Sequence, residues 1–257
     1  MITELIAGFA SLPQVEAIAL GGSRAGDRYD EKSDYDVYLY CTSPVSEATR
    51  KEILAKHCSY MELGNHYWEY EDNCTLNNGI DIDILYRNLD HFIADISTVV
   101  ELCQGRNGYT TCMWHNLLNC KILYDRTGRL AAAKQRFDIP YPAALKQEIV
   151  TRNYRLLHGI LPSYDLQISK AILRGDLFSV NHRVTAFLES YFDILFALNG
   201  QTHPGEKRLI SLCKERCPVL PDHFEENITH LLRDMYAAPD CVTADLARVI
   251  CELDKIL

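Results

Sequence analysis

Residues 20–40 read LGGSRAGDRYDEKSDYDVYLY. The apolar run just before them, residues 15–20, predicts a strand that enters a tight turn at Gly21-Gly22-Ser23. Glycines in that turn let the backbone come close to a ligand, and Ser23 adds a hydroxyl donor. Exposed backbone N–H groups ahead of a helix form a seat for phosphate. Eleven residues beyond Ser23 stands Asp34, followed by Asp36, at the head of a second predicted strand, residues 35–41 (YDVYLYC). Positions i and i+2 of a strand share a face, so the two carboxylates project together. At ~4 Å and an effective dielectric of ~20, such a pair repels by ~4 kcal/mol. A fold keeps the pair when water solvates it or a cation bridges it. An oxygen-only donor set favours Mg²⁺, with Mn²⁺ as the alternative.

Working outward, residues 80–86 (IDIDILY) alternate strictly after the turn signal Asn77-Asn78-Gly79. They predict a half-buried strand with Asp81 and Asp83 on one face. Beside the first pair, one of these acids completes a three-carboxylate cluster. Such a cluster can hold two divalent ions ~3.5–4 Å apart, as in phosphoryl and nucleotidyl transfer. Elsewhere in the first half the pattern predicts a helix over 2–11 and another from a Ser46 cap to 57. One or two strands follow in 60–75, then a helix over 90–104, a strand over 121–124 and one more helix. After Pro140 and Pro142 strand-like runs cease. Segments 143–160, 165–174, 179–199, 206–216, 222–236 and 241–256 all fit helices. Val184, Phe187, Leu188, Tyr191, Leu195 and Leu198 form a 3.6-period stripe, widened by Phe192 and Phe196, which marks a central bundle helix. The expected architecture is an α+β N-terminal domain (a mixed sheet with helices), residues 1–140, followed by an all-α helical-bundle domain, residues 141–257.

With 257 residues, 47% hydrophobic and 24% charged, the composition is that of a globular protein, and the net charge is -9. Residues 1–140 hold 20 acidic and 13 basic side chains, a net of -7; residues 141–257 hold 15 and 13, a net of -2. Neither half has the basic excess of a nucleic-acid polymerase, so nucleic acid is not an expected partner. Asp34, Asp36, Asp81 and Asp83 supply four of the negatives, which two bound Mg²⁺ would cancel. The N-terminus has no basic leader, and no run approaches the ~20 apolar residues of a membrane span. The expected location is cytoplasmic, with the ten cysteines as reduced thiols serving mainly as small buried hydrophobes.

Gly22-Ser23, Asp34-Tyr35-Asp36 and Ile82-Asp83-Ile84 together resemble the DNA polymerase β-like nucleotidyltransferase superfamily. The stretch GGSRAG…SDYDVYLY looks like that of its small bacterial members, which include aminoglycoside nucleotidyltransferases. The motif match spans about 90 residues; the helical second half agrees in architecture only. The resemblance implies that Asp34, Asp36 and a third acid hold two Mg²⁺. An acid followed by an apolar run and Arg (DILYR) favours Asp83 over Asp81 for that place, with the other acid in support. It also implies that Gly22 and Ser23 seat the β,γ-phosphates of ATP or another NTP, with Arg24 as a further phosphate contact. A lysine of the helical domain, Lys207, would reach the triphosphate. A general base for the acceptor hydroxyl should be a carboxylate facing the metals, and Asp176 and Glu189 are the candidates. The expected acceptor is a small molecule such as an aminoglycoside-like amino alcohol. The alternatives are a protein or tRNA acceptor of the toxin–antitoxin kind, or a nucleotide-binding module without activity. The oligomeric state is open, a homodimer being one option where cleft walls are shared. Arg152–His158 (RNYRLLH) also matches the Arg-polar-x4-His pattern of HEPN-type ribonucleases, but so short a helical pattern is common, and a packed or exposed His158 is the reading kept.

Overall fold

A computed structural model describes residues 2–26, 33–67 and 69–257. The link between the glycine turn and Ser33 (residues 27–32) and the Trp68 part of the aromatic stretch therefore lie outside the described residues. The chain divides into two compact units, residues 1–97 with 116–139, and residues 98–115 with 140–257. A single boundary near residue 140 was expected from the sequence; one early segment, Thr98–His115, belongs instead with the helical part.

The first unit is built on six strands: β1 (Val15–Leu20), β2 (Tyr35–Cys41), β3 (Cys58–Asn65), β4 (Glu71–Leu76), β5 (Asp81–Arg87) and β6 (Lys121–Asp125). Their order is β3-β4-β5-β2-β1-β6. Only β2 and β5 run parallel, so the sheet is mixed. Helices α1 (Ile2–Ala10), α2 (Gly22–Ala25), α3 (Glu47–Leu54), α4 (Leu89–Val100), α5 (Cys112–Asn119) and α6 (Arg129–Phe137) are interleaved with the strands. α5 was not foreseen, because CMWHNLLN is too short to establish a period. Ser46 caps α3 as expected, its side chain accepting from the Thr49 N–H at 3.2 Å.

Strand alternation divides the sheet into two faces with different chemistry. One face carries Ile18, Leu20, Val37, Leu39, Ile82, Ile84, Cys74 and Leu76, which form a core with Leu5, Phe9 and Leu54 of α1 and α3. Within that apolar layer Arg50 and Asp72 form a buried ion pair. Asp72 also accepts from the Gly64 N–H (2.9 Å) and the Tyr86 hydroxyl (2.8 Å), and Arg50 donates to the Tyr70 hydroxyl (2.6 Å). The other face carries Asp36, Tyr38, Asp83 and Arg87.

The second unit is all-helical. α7 (Ala143–Leu157), α8 (Tyr164–Leu173), α9 (Leu177–Leu198), α10 (Leu209–Arg216), α11 (Phe224–Ala237) and α12 (Val242–Asp254) follow in order. α9 is central, as its apolar stripe requires: Val184, Phe187, Tyr191, Phe192, Leu195 and Phe196 are all buried in one core with residues of the other helices. Segment 98–115 is fastened to this bundle by buried polar bonds. Asp193 accepts from the Thr110 N–H (3.1 Å), the Thr110 hydroxyl (2.6 Å) and Asn153 Nδ2 (3.1 Å). Asn153 Oδ1 accepts from the Gly108 N–H at 3.0 Å, and the His203 N–H donates to Thr111 Oγ1 at 2.8 Å. Leaving any of these groups unpaired inside the bundle would cost its full desolvation.

Burial also fixes how this unit responds to pH. His115 is pushed down to about 4, by burial and then the nearby Arg216 charge, and His203 to about 3, by burial and then His115. Both stay neutral in the fold, whereas the unfolded chain takes up protons near 6.5. They therefore remove stability as pH falls below about 6.5. Asp193, pushed up to about 7 by burial, has the opposite sign, its folded carboxyl keeping a proton that the unfolded chain loses near 4. In urea unfolding followed by Trp114 fluorescence (with Trp68 replaced by Phe), stability is expected to rise from pH 4.5 to 6.5. Replacing both histidines by Gln should lower that slope by about 2 kcal/mol per pH unit, one fully exchanged proton being worth ~1.4. An unchanged slope contradicts the assignment.

A candidate metal and nucleotide site

Asp34, Asp36 and Asp83 converge. Each offers a carboxylate oxygen within 4.8 Å of those of the other two. The cause is strand register: in the parallel β2–β5 pair, Asp36 stands directly opposite Asp83, and the neighbouring pair is Tyr35 with Ile82. Asp34 lies just ahead of β2 and joins from its end. Asp81 is exposed and outside this set, with its carboxylate accepting from the Thr75 hydroxyl at 2.8 Å. The family resemblance favoured Asp83 over Asp81, and the fold brings Asp83 to the pair.

The glycine turn is pressed against the same acids. The Gly21 N–H donates to the Asp36 carbonyl at 2.8 Å. A side chain at Gly21 would collide with the Tyr38 ring, and one at Gly22 would collide with the Asp36 carboxylate. Gly22 also has φ +58°, the left-handed region that a side chain disfavours. Both positions therefore need glycine, for close approach at one and for close approach and conformation at the other. Ser23 is exposed in the single helical turn α2 that follows. Arg24 folds back over the start of β2: its Nε donates to the Ser33 carbonyl at 2.6 Å and its guanidinium lies 4.1 Å from the Tyr35 ring centroid. In this arrangement it ties the turn to the strand.

Deeper on this face, Arg87 is buried and paired with Glu69, with 2.5 Å between Nη2 and Oε1. Its guanidinium lies 4.0 Å from the Tyr38 ring centroid, and Asn116 links the two, accepting from Arg87 (3.2 Å) and donating to the Tyr38 hydroxyl (2.9 Å). The ring that excludes a side chain at Gly21 is thus itself held in place. Glu71 is a further acid here that the sequence reading missed, 3% exposed on β4. Burial, then repulsion from Asp83, pushes its carboxyl up, against backbone and side-chain hydrogen bonds from Tyr67 and Asn73. The signal was present in EDNCTL, whose alternation puts Glu71, Asn73 and Thr75 on one face.

The donor set fits a hard divalent cation. At ~4.8 Å and an effective dielectric of ~20, each carboxylate pair repels by ~3.5 kcal/mol. Two oxygens on one Mg²⁺ stand at most ~4.2 Å apart, so only a small closure of the cluster is needed.

The remaining sequence candidates lie in the second unit. Lys207 is exposed in the turn ahead of α10. Asp176 is the N-cap of α9, accepting from the Ser179 N–H (3.0 Å) and hydroxyl (2.6 Å), and those bonds hold its carboxyl below its ordinary value. A carboxylate so engaged serves its helix. Glu189 is half-buried on α9, with burial raising its carboxyl. In the Arg152–His158 pattern, Arg152 pairs with Glu148, Asn153 is consumed by the buried bonds described above, and His158 meets Asp165.

Replacing Gly22 by Ala is expected to cost about 1–2 kcal/mol from backbone conformation alone, and more from displacement of Asp36. Gly26→Ala is the control, since its nearest neighbour is 3.9 Å away and its φ is negative. Urea unfolding of the two variants checks this, and equal midpoints would contradict it.

No protein-family model and no curated protein matches the chain. Solved structures similar to it include a nucleotidyltransferase-like protein from Exiguobacterium sibiricum 255-15, at 9% identity over 97% of this chain and 71% of that one, with TM-score 0.45. Another is an aminoglycoside 6-adenyltransferase from Bacillus subtilis, at 8% identity over 98% and 89%, with TM-score 0.28. A third is a CCA-adding enzyme in complex with ATP, at 12% identity over 99% and 81%, with TM-score 0.29. Among the described residues no helix is long and apolar enough to cross a membrane.

Proposed function

We propose that the chain is a divalent-metal-dependent nucleotidyltransferase that moves a nucleoside monophosphate, AMP from ATP by default, to the hydroxyl of a small-molecule acceptor. The observation that carries this reading is the convergence of Asp34, Asp36 and Asp83 beside a glycine turn with no room for side chains.

Asp34 and Asp36 hold two Mg²⁺ (or Mn²⁺) together with Asp83. Bound there, the ions supply charge neutralisation at the α-phosphate and a more acidic acceptor hydroxyl. The backbone at Gly22 and Ser23, with the Ser23 hydroxyl, binds the β,γ-phosphates. The acceptor oxygen attacks the α-phosphorus in line. The bond from that phosphorus to the bridging oxygen breaks, pyrophosphate leaves, and the hydroxyl proton passes to a base. The chain's own share is positioning and electrostatic preorganisation. The acceptor class, an aminoglycoside-like amino alcohol, follows from the family resemblance.

Incubation with α-labelled NTPs, Mg²⁺ and a panel of amino alcohols, with tRNA and protein fractions in parallel, is expected to transfer label to a small molecule. Label in the tRNA or protein fraction instead overturns the acceptor class. Asp36→Asn should reduce transfer by about 10²–10³-fold or more without destabilising the metal-free fold, because it relieves the repulsion within the cluster. Retained transfer refutes the metal assignment. In thermal-shift measurements the preferred NTP with Mg²⁺ should add ~2.7 kcal/mol of stability at a hundred times its Kd.

A further inference from the structure

The acids of the site are one end of a longer polar row. On the same sheet face, Asp36 pairs in register with Asp83, Asp83 with Asn73, and Asn73 with Glu62, across strands β2, β5, β4 and β3. The side chains are joined as well as aligned. Asn73 Nδ2 donates to Asp83 Oδ1 at 2.8 Å. Asn65 Nδ2 donates to Asn73 Oδ1 at 2.8 Å and to Glu62 Oε2 at 3.2 Å, and the Tyr60 hydroxyl donates to Glu62 Oε1 at 2.6 Å. This pattern leaves the Asn73 amide one workable orientation. A carboxylate only accepts, so the nitrogen must face Asp83, and the Asn65 donor then occupies the oxygen.

We infer that Asn73 is a positioning residue for the metal site: held by Asn65, it takes one Asp83 oxygen and thereby fixes the carboxylate toward Asp34 and Asp36. The inference rests on the metal reading above. Its physical basis is that a carboxylate rotates freely about its last bond, so three acids on separate backbone positions are not preorganised by register alone. A neutral donor suits the task. It restrains Asp83 without adding positive charge that would compete with the cation, and without adding negative charge to an already repelling cluster. Partners behind metal ligands commonly change metal affinity by about 10–100-fold. Thr75 provides an internal comparison. It lies two residues along the same strand on the same face and donates to Asp81, outside the cluster, at 2.8 Å.

Mn²⁺ binding to the nucleotide-free protein, read by electron paramagnetic resonance, tests this without reference to activity. Asn73→Ala is expected to weaken binding about tenfold or more, and Asn65→Ala to weaken it less, because the Asn73 amide survives but is released. Thr75→Ala should bind as wild type does. Near-UV circular dichroism and urea midpoints without metal should be alike for Asn73→Ala and Thr75→Ala, so that an affinity difference is not a folding difference. Wild-type affinity in Asn73→Ala, or equal weakening in Thr75→Ala, overturns the positioning role alone. Wild-type protein that binds Mn²⁺ no better than Asp36→Asn overturns the metal reading and this inference with it.

Discussion

The parallel pairing of β2 with β5 is the constraint on which the candidate site depends. Asp36 and Asp83 are distant in sequence, and neither strand alone brings more than its own acids together. The register sets Asp36 opposite Asp83. A slip of one residue would turn every apolar side chain of one strand out of the core, so burial of Val37, Leu39, Ile82 and Ile84 on the opposite face enforces it. The hydrophobic effect on one side of the sheet thus holds mutually repelling charges together on the other.

Two buried polar arrangements in the first unit support that geometry from different sides. Beneath the apolar face, the Arg50–Asp72 pair is supported by hydrogen bonds with Gly64, Tyr70 and Tyr86, so a buried charge pair is retained where a broken one would cost several kcal/mol. On the site face, Arg87 holds Tyr38, and Tyr38 bounds the space left for Gly21. The glycine turn and the acids are therefore one packed assembly rather than neighbouring features.

The helical unit uses the same logic for a different end. Asp193, Asn153 and Thr110 form a buried polar node that recruits residues 98–115 to the bundle. Periodicity could not foresee this. The stripe on α9 identifies which helix is central, but Asp193 and Asn153 read as ordinary polar interruptions of amphipathic helices, and only their partners make them structural.

Much was legible in the residues themselves. Strand alternation in YDVYLYC and IDIDILY, the doubled glycine and the loss of strand-like runs after Pro140 depend on local backbone preferences and on the period of burial. They therefore located β1, β2, β5, the turn and the six C-terminal helices, with ends displaced by a few residues. The short α5, the membership of residues 98–115, the meeting of Asp83 with Asp34 and Asp36, and the presence of Glu71 and Asn73 beside the acids were decided by tertiary structure. The meeting of Asp83, Asn73 and Asp36 depends on which strand lies next to which, and in what register, whereas residues 98–115 are placed by the buried bonds of Asp193 and Asn153. That is a property of long-range pairing, which one-dimensional alternation does not contain: the sequence by itself determined which side chains share a face of their own strand, and only the folded sheet decided which of them meet across strands.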